Sequence, residues 1–152
     1  MKKCRLAFLF LALLFLTGCS FPPVLARLPD YESGALHSCS GGQDSTDYGK
    51  YVFSEVTAWQ LQCSGYFQQV TEADLALLRQ YVADFEQWVE ICSCDRCDRE
   101  LSECYDFSAE LLEPGDYFGL ERAEPSGNFL GDYTIHYFDM DTQTLYYLRS
   151  NI

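Results

Sequence analysis

The clearest pattern of apolar and polar positions lies in the middle of the chain, where Leu75, Leu78, Val82, Phe85, Val89 and Cys92 recur at alternating spacings of three and four. That spacing puts them on one face of an α-helix and predicts a helix over 72–92. Leu77, Tyr81 and Trp88 widen the apolar face, while Arg79, Gln80, Glu86, Gln87 and Glu90 fall on the wet side. Thr71 is a good N-cap, and Glu72 and Asp74 set negative charge against the positive end of the helix dipole.

The pattern then changes to short runs separated by turn residues. Runs at 105–112, 117–123, 133–139 and 144–149 read as strands, punctuated by Glu113-Pro114-Gly115-Asp116 and Pro125-Ser126-Gly127-Asn128. The last two form the strongest hairpin, joined by Met140-Asp141-Thr142-Gln143. If Phe138 pairs with Leu145, then Ile135 and Tyr137 share a face with Tyr146 and Leu148, while His136 lies on the opposite face beside Tyr147. The expected fold class is α+β: a long amphipathic helix packed on an antiparallel meander of three to four strands, which looks like the cystatin-like order of elements. Such a likeness says nothing secure about function.

Upstream the signal weakens. Residues 51–70 fit neither a helical nor a strand period and read as strand or short helix. Residues 20–50 carry Pro22, Pro23, Pro29 and many Ser and Gly with no sustained apolar period, so they read as a flexible tether, with room for a short ordered piece near its end, that lifts the domain off a surface.

At the N-terminus Lys2, Lys3 and Arg5 precede an unbroken apolar run at 6–16, the layout of an export signal. Eleven residues are too few to cross a bilayer, which takes about 20. The run ends in Leu16-Thr17-Gly18-Cys19, which resembles the lipobox of bacterial lipoproteins. The resemblance implies cleavage between Gly18 and Cys19 and acylation of Cys19 by chains of the palmitate kind. One chain would hold only reversibly, since each buried CH₂ contributes about 0.8 kcal/mol, but two or three hold firmly. The expected organisation is therefore a lipoprotein signal peptide at 1–18, an acylated N-terminus and tether at 19–50, and one α+β domain at 51–152.

Charge narrows the partners. Loss of residues 1–18 removes Lys2, Lys3 and Arg5 and no acid, so the formal charge moves from −13 to −16. A surface this acidic is repelled by nucleic-acid phosphates, and no nucleic-acid partner is expected. The expected partner is the membrane, reached through the lipid anchor; a protein or small-molecule partner stays open.

The strings Tyr66-Phe67-Gln68-Gln69-Val70-Thr71, Phe85-Glu86-Gln87-Trp88-Val89 and Asp116-Tyr117-Phe118, together with the terminal segments Asp132-Tyr133-Thr134-Ile135 and Tyr146-Tyr147-Leu148-Arg149-Ser150-Asn151-Ile152, resemble a group of uncharacterised small lipoproteins of clostridial-type bacteria. The resemblance covers roughly 50–152 and carries structural rather than catalytic motifs. It implies a Gram-positive-type cell, hence a place on the extracytoplasmic face of the cell membrane.

Setting aside Cys4 and Cys19 leaves Cys39, Cys63, Cys92, Cys94, Cys97 and Cys104, an even number suited to disulfides in an exported chain. The cluster Cys92-x-Cys94-x-x-Cys97 with Cys104 favours local disulfide bonding. It also has the donor count of a zinc site, although only one Cys-x-x-Cys knuckle is present. A redox dithiol at Cys94 and Cys97 is the third reading, weakened by Asp95, which disfavours a thiolate.

Other chemistry is sparse. A Cys104–His136 pair is compatible with the spacing but has no supporting motif, and His136 reads better as a cross-strand neighbour of Tyr147. Asp139-x-Asp141-x-Gln143 imitates the start of a calcium loop, yet Thr144 and Ser150 stand where that loop needs Gly and Glu. There is no phosphate-cradling glycine loop. No cofactor and no catalytic residue is expected. The expectation is a non-enzymatic binding or interaction module, with exposed aromatics of the terminal hairpin such as Tyr147 as the contacts, and an exported thiol-redox or metal-binding protein using the 92–104 cysteines as the alternative.

Overall fold

The computed structural model describes residues 23–41, 44–94, 99–123 and 130–151. Six strands form one antiparallel sheet: β1 (Ser33–Gly41), β2 (Asp44–Val52), β3 (Gln68–Gln69), β4 (Tyr117–Arg122), β5 (Tyr133–Asp139) and β6 (Thr144–Asn151). Their order across the sheet is β1-β2-β6-β5-β4-β3. Three helices join them: α1 (Ala58–Cys63), α2 (Glu72–Cys94) and α3 (Arg99–Cys104). Single 3-10 turns lie at Pro23–Arg27 and Ala109–Leu111.

The long helix and the terminal hairpin follow the expected pattern. In α2, Leu75, Leu78, Tyr81, Val82, Phe85, Val89 and Cys92 are buried, and they pack with Tyr48, Tyr133, Ile135, Tyr137, Tyr146 and Leu148 of the sheet. Leu77 and Trp88 are half-buried at its margins. At the helix start the Asp74 carboxylate reaches back to accept from the Thr71 N–H at 2.9 Å and from the Thr71 hydroxyl at 2.6 Å. A carboxylate at the third helical position thus satisfies the cap residue's own amide, as in a capping box.

Phe138 pairs with Leu145 and His136 with Tyr147, so Ile135, Tyr137, Tyr146 and Leu148 share the α2 face. The Asp139 side chain caps the turn between β5 and β6 by accepting from the Asp141 and Thr142 amides, each at 2.9 Å. This turn chemistry accounts for the Asp-rich run that imitates a calcium loop.

Three expectations are corrected. The stretch read as a tether instead forms the β1–β2 hairpin over 33–52, and β2 is hydrogen-bonded to β6 inside the sheet. Its sequence hid this because β1 is an edge strand with most residues exposed, so no apolar face is needed and small polar residues suffice. The 105–112 run is no strand. Tyr105 continues from α3, and Phe107 and Leu112 drop as single anchors into the core under α2, with the Phe107 ring 4.7 Å from that of Tyr146. Their spacing imitated alternation, but these residues lie on the α2 face of the sheet and not along one of its edges. Finally, the sheet has six strands, two more than the upper expectation, because β1 and β2 extend the meander on one side and β3 on the other.

Residues 51–70 lack a period because they leave the sheet after β2, form α1 and return as β3. Thr57 starts α1 with a full capping box: its side chain accepts from the Gln60 amide, and Gln60 reaches back to the Thr57 N–H at 2.8 Å. This segment and the Pro23–Arg27 turn cover the face of the sheet opposite α2. Val24, Leu25, Phe53, Val56, Leu61 and Phe67 close there over Phe138 and Leu145. The sheet is the middle of three layers.

Candidate functional site

The covered face opposite α2 changes character row by row, which follows from register alone. Directly paired residues in an antiparallel sheet share a face. One row reads Gly34, Tyr51, Leu145, Phe138 and Tyr117 across β1, β2, β6, β5 and β4; the next reads Leu36, Gly49, Tyr147, His136 and Gly119. The third reads Ser38, Asp47, Arg149, Thr134 and Glu121. Apolar residues thus give way to a mixed row and then to a charged one within three steps. The α1 layer closes over the apolar end and stops short of the charged end.

The uncovered end is a cleft of about 310 Å³ lined by Val24, Arg27, Tyr66, Glu121, Thr134, His136, Tyr147 and Arg149. Two arginines converge there in a strongly acidic chain. Arg27 donates to the Ser64 carbonyl at 3.2 Å, and Arg149 pairs with Asp47 at 3.6 Å.

His136 sits at the base of the cleft and is 2% exposed. Its Nδ1 is 2.6 Å from the Tyr66 hydroxyl, and the Tyr66 and Tyr147 rings pack 5.1 Å and 5.0 Å from the imidazole. Its Nε2 is buried with no hydrogen-bond partner. Burial holds the imidazole neutral by pushing its pKa down to about 3. Burial, and after it the nearby Glu121 carboxylate, raise the pKa of the Tyr66 hydroxyl. An ionised carboxylate only accepts, so the tautomer that suits all three groups has the Tyr66 hydrogen turned toward Glu121 and the Tyr66 oxygen receiving Nδ1–H of His136. Nε2 is then a bare acceptor.

Gly119 makes this arrangement possible. A Cβ built there would lie 2.1 Å from the Tyr66 ring, so only glycine lets the ring rest on β4 beside His136. The sequence singled out His136 and Tyr147 as neighbours but had no signal for Arg27, Tyr66, Glu121 or Arg149, which come from four different elements or connections.

The cysteine candidates separate. Cys39 and Cys92 form a disulfide between β1 and the end of α2, with Cα atoms 6.3 Å apart. The favoured reading of local bonding within the 92–104 cluster is therefore corrected for Cys92, whose partner is 53 residues away in the stretch read as tether. A four-cysteine zinc site would need Cys92 as a thiolate, and the disulfide removes it from that set. Cys63 and Cys104 are free and exposed. The side chains of Cys94 and Cys97, and Cys19 with the rest of the signal region, lie outside the described residues.

Cys104 does not meet His136. It lines a hollow on the α2 side of the sheet with His37, Tyr48 and Lys50, whereas His136 faces the other way. In that region Asp106 accepts from the Tyr48 hydroxyl at 2.5 Å and from the Lys50 ammonium, whose charge and hydrogen bond hold the carboxyl below the usual range despite partial burial. Tyr147, expected as an exposed contact, is 4% exposed, because β6 is an interior strand and its outer face is roofed. Trp59 and Ile91 are the exposed large apolar residues among those described.

Among the described residues no helix is long and apolar enough to cross a membrane. No protein-family model, curated protein or solved structure matches the chain.

Proposed function

We propose that the mature chain is a non-enzymatic binding module, anchored through acylated Cys19 on the extracytoplasmic face of the cell membrane, that takes a small hydroxy- or amino-carboxylate in the His136 cleft. The observation that carries the ligand reading is the buried, unpartnered Nε2 of His136 beside Arg27 and Arg149. A buried polar atom without a partner costs about 1–3 kcal/mol, which a ligand O–H or N–H recovers. The arginines suit a carboxylate, and Glu121, in the same row of the sheet as Arg149, suits an amino group.

An imidazole whose pKa is near 3 is a poor base at neutral pH, which supports binding over acid–base catalysis. The Cys39–Cys92 disulfide supports an exported location, because such bonds persist in oxidising compartments. The lipobox and the resemblance to small clostridial-type lipoproteins support the anchor. The long helix followed by the β4–β5–β6 meander supports reading the order of elements as cystatin-like, although the β1–β2 hairpin precedes it.

Calorimetric titration of the mature domain with a panel of hydroxy acids, amino acids and phosphate esters tests the reading. At least one carboxylate binds to the wild type, and Arg149→Gln weakens it by roughly tenfold or more through loss of a charge-assisted hydrogen bond. Heat from none of the panel, or equal binding by the variant, overturns it.

A further inference from the structure

The structure removes most of the tether, and with it the distance between the domain and the membrane. The Pro23–Arg27 turn is part of the fold, with Val24 3% and Leu25 6% exposed in the core beneath α1. Only Ser20, Phe21 and Pro22 separate it from Cys19. Consecutive Cα atoms lie about 3.8 Å apart, so Pro23 stays within about 15 Å of the acylated residue however the link is arranged. That reach is about twice the headgroup layer, which takes up about 5–8 Å per leaflet, so the turn stays close to the membrane surface.

The surface beside this turn suits such a position. Trp59 on α1 is 70% exposed, an unusual state for the largest side chain in an otherwise well-roofed protein. It lines a hollow of about 510 Å³ together with Arg27, Leu28, Pro29, Gln60 and Cys63, and among the described residues Arg27 is the only charged one in its lining. Indole rings favour the membrane–water interface, where the apolar body is buried and the N–H stays wet. The mature chain as a whole carries a formal charge of −16 and is repelled by anionic headgroups, which favours turning this patch inward.

We propose that the acylated chain sits directly on the bilayer with the Trp59 face of α1 and the Pro23–Arg27 turn against the lipid headgroups, and does not stand off on a tether. The proposal rests on the lipoprotein reading. It places Cys63, one turn after Trp59, at the lipid surface and leaves Cys104, on the opposite layer, facing water.

The test uses the full chain purified from membranes and reconstituted in phosphatidylcholine vesicles containing phosphatidylglycerol. Intact mass first reports whether Cys19 carries lipid. In a Trp88→Phe background, Trp59 emission is then read with lipids brominated on the acyl chains, and a membrane-impermeant maleimide is mapped onto Cys63 and Cys104. The proposal expects quenching of Trp59 and loss of Cys63 labelling while Cys104 labelling persists; Cys19→Ser in solution labels at both. A lipidated chain whose Trp59 is unquenched and whose Cys63 reacts as fast as Cys104 overturns the seating and leaves the anchor standing. A chain without lipid on Cys19 overturns both.

Discussion

The hydroxyl of Tyr66 lies 2.6 Å from Nδ1 of His136, joining residues 70 positions apart across a strand that carries only a glycine between them. The binding proposal turns on the tautomer in which Nδ1 carries its hydrogen toward Tyr66 and Nε2 is the free acceptor. Tyr66→Phe removes a hydrogen-bond partner from a buried ring, and a loss of about 1–2 kcal/mol in stability is expected in urea unfolding.

Gly119→Ala tests the same contact from beneath. The added Cβ meets the Tyr66 ring at 2.1 Å, inside any normal contact, so the ring must leave β4. A loss of about 1–3 kcal/mol is expected from overpacking. Combining it with Tyr66→Leu, which clears the space, recovers part of that loss. A thermal melt of Gly119→Ala that overlays the wild type would contradict this placement of the ring.

Acid should weaken the fold through His136. Its pKa is pushed down to about 3 by burial, so the folded state keeps it neutral while the unfolded chain takes up a proton near the ordinary value of 6.5. The unfolded state therefore binds more protons between these values, and stability falls with pH across that window by up to about 1.4 kcal/mol per unit. Asp106, held low by Lys50 and Tyr48, adds to the loss at the carboxylate end. Asp116, raised by burial, opposes it there. Between about pH 6.5 and 5 the slope is attributed to His136, and unfolding curves of His136→Phe are expected to be flatter in that interval than those of the wild type.

Reduction should destabilise the domain strongly. The Cys39–Cys92 bridge closes a loop of 53 residues, worth about 4 kcal/mol in the loop-entropy account. Peptide mapping of the unreduced protein is expected to show a Cys39–Cys92 linked pair, with alkylation at Cys63 and Cys104. Cys39→Ser with Cys92→Ser should lower the urea midpoint; an unchanged midpoint would mean the bridge is absent or idle.

Much of the first face was legible in the sequence. The three-and-four spacing from Leu75 to Cys92 and the alternation through Ile135 and Tyr137 both record burial against one partner layer, and period reports that directly. The register of Phe138 with Leu145 followed from a short turn. The β1–β2 hairpin was illegible because an exposed edge strand requires no apolar face, so its Ser and Gly content matches that of a linker. The cleft was illegible for a different reason. Arg27, Tyr66, Glu121 and Arg149 are ordinary surface types in sequence, and only the sheet order brings them together around His136. Gly119 likewise reads as a weak strand residue until Tyr66 is seen resting on it.

The central claim is that a neutral His136 with a bare Nε2 receives a ligand in the cleft. Long-range nitrogen NMR of the histidine-labelled mature domain tests it most directly, recorded from neutral pH down to about pH 5 with and without the carboxylate panel. The account predicts an Nδ1–H tautomer that stays neutral over this range, and a shift of the Nε2 resonance on addition of a hydroxy- or amino-carboxylate that is lost in Arg149→Gln. An imidazole that protonates near its ordinary pKa, or an Nε2 resonance that no member of the panel moves, would contradict it.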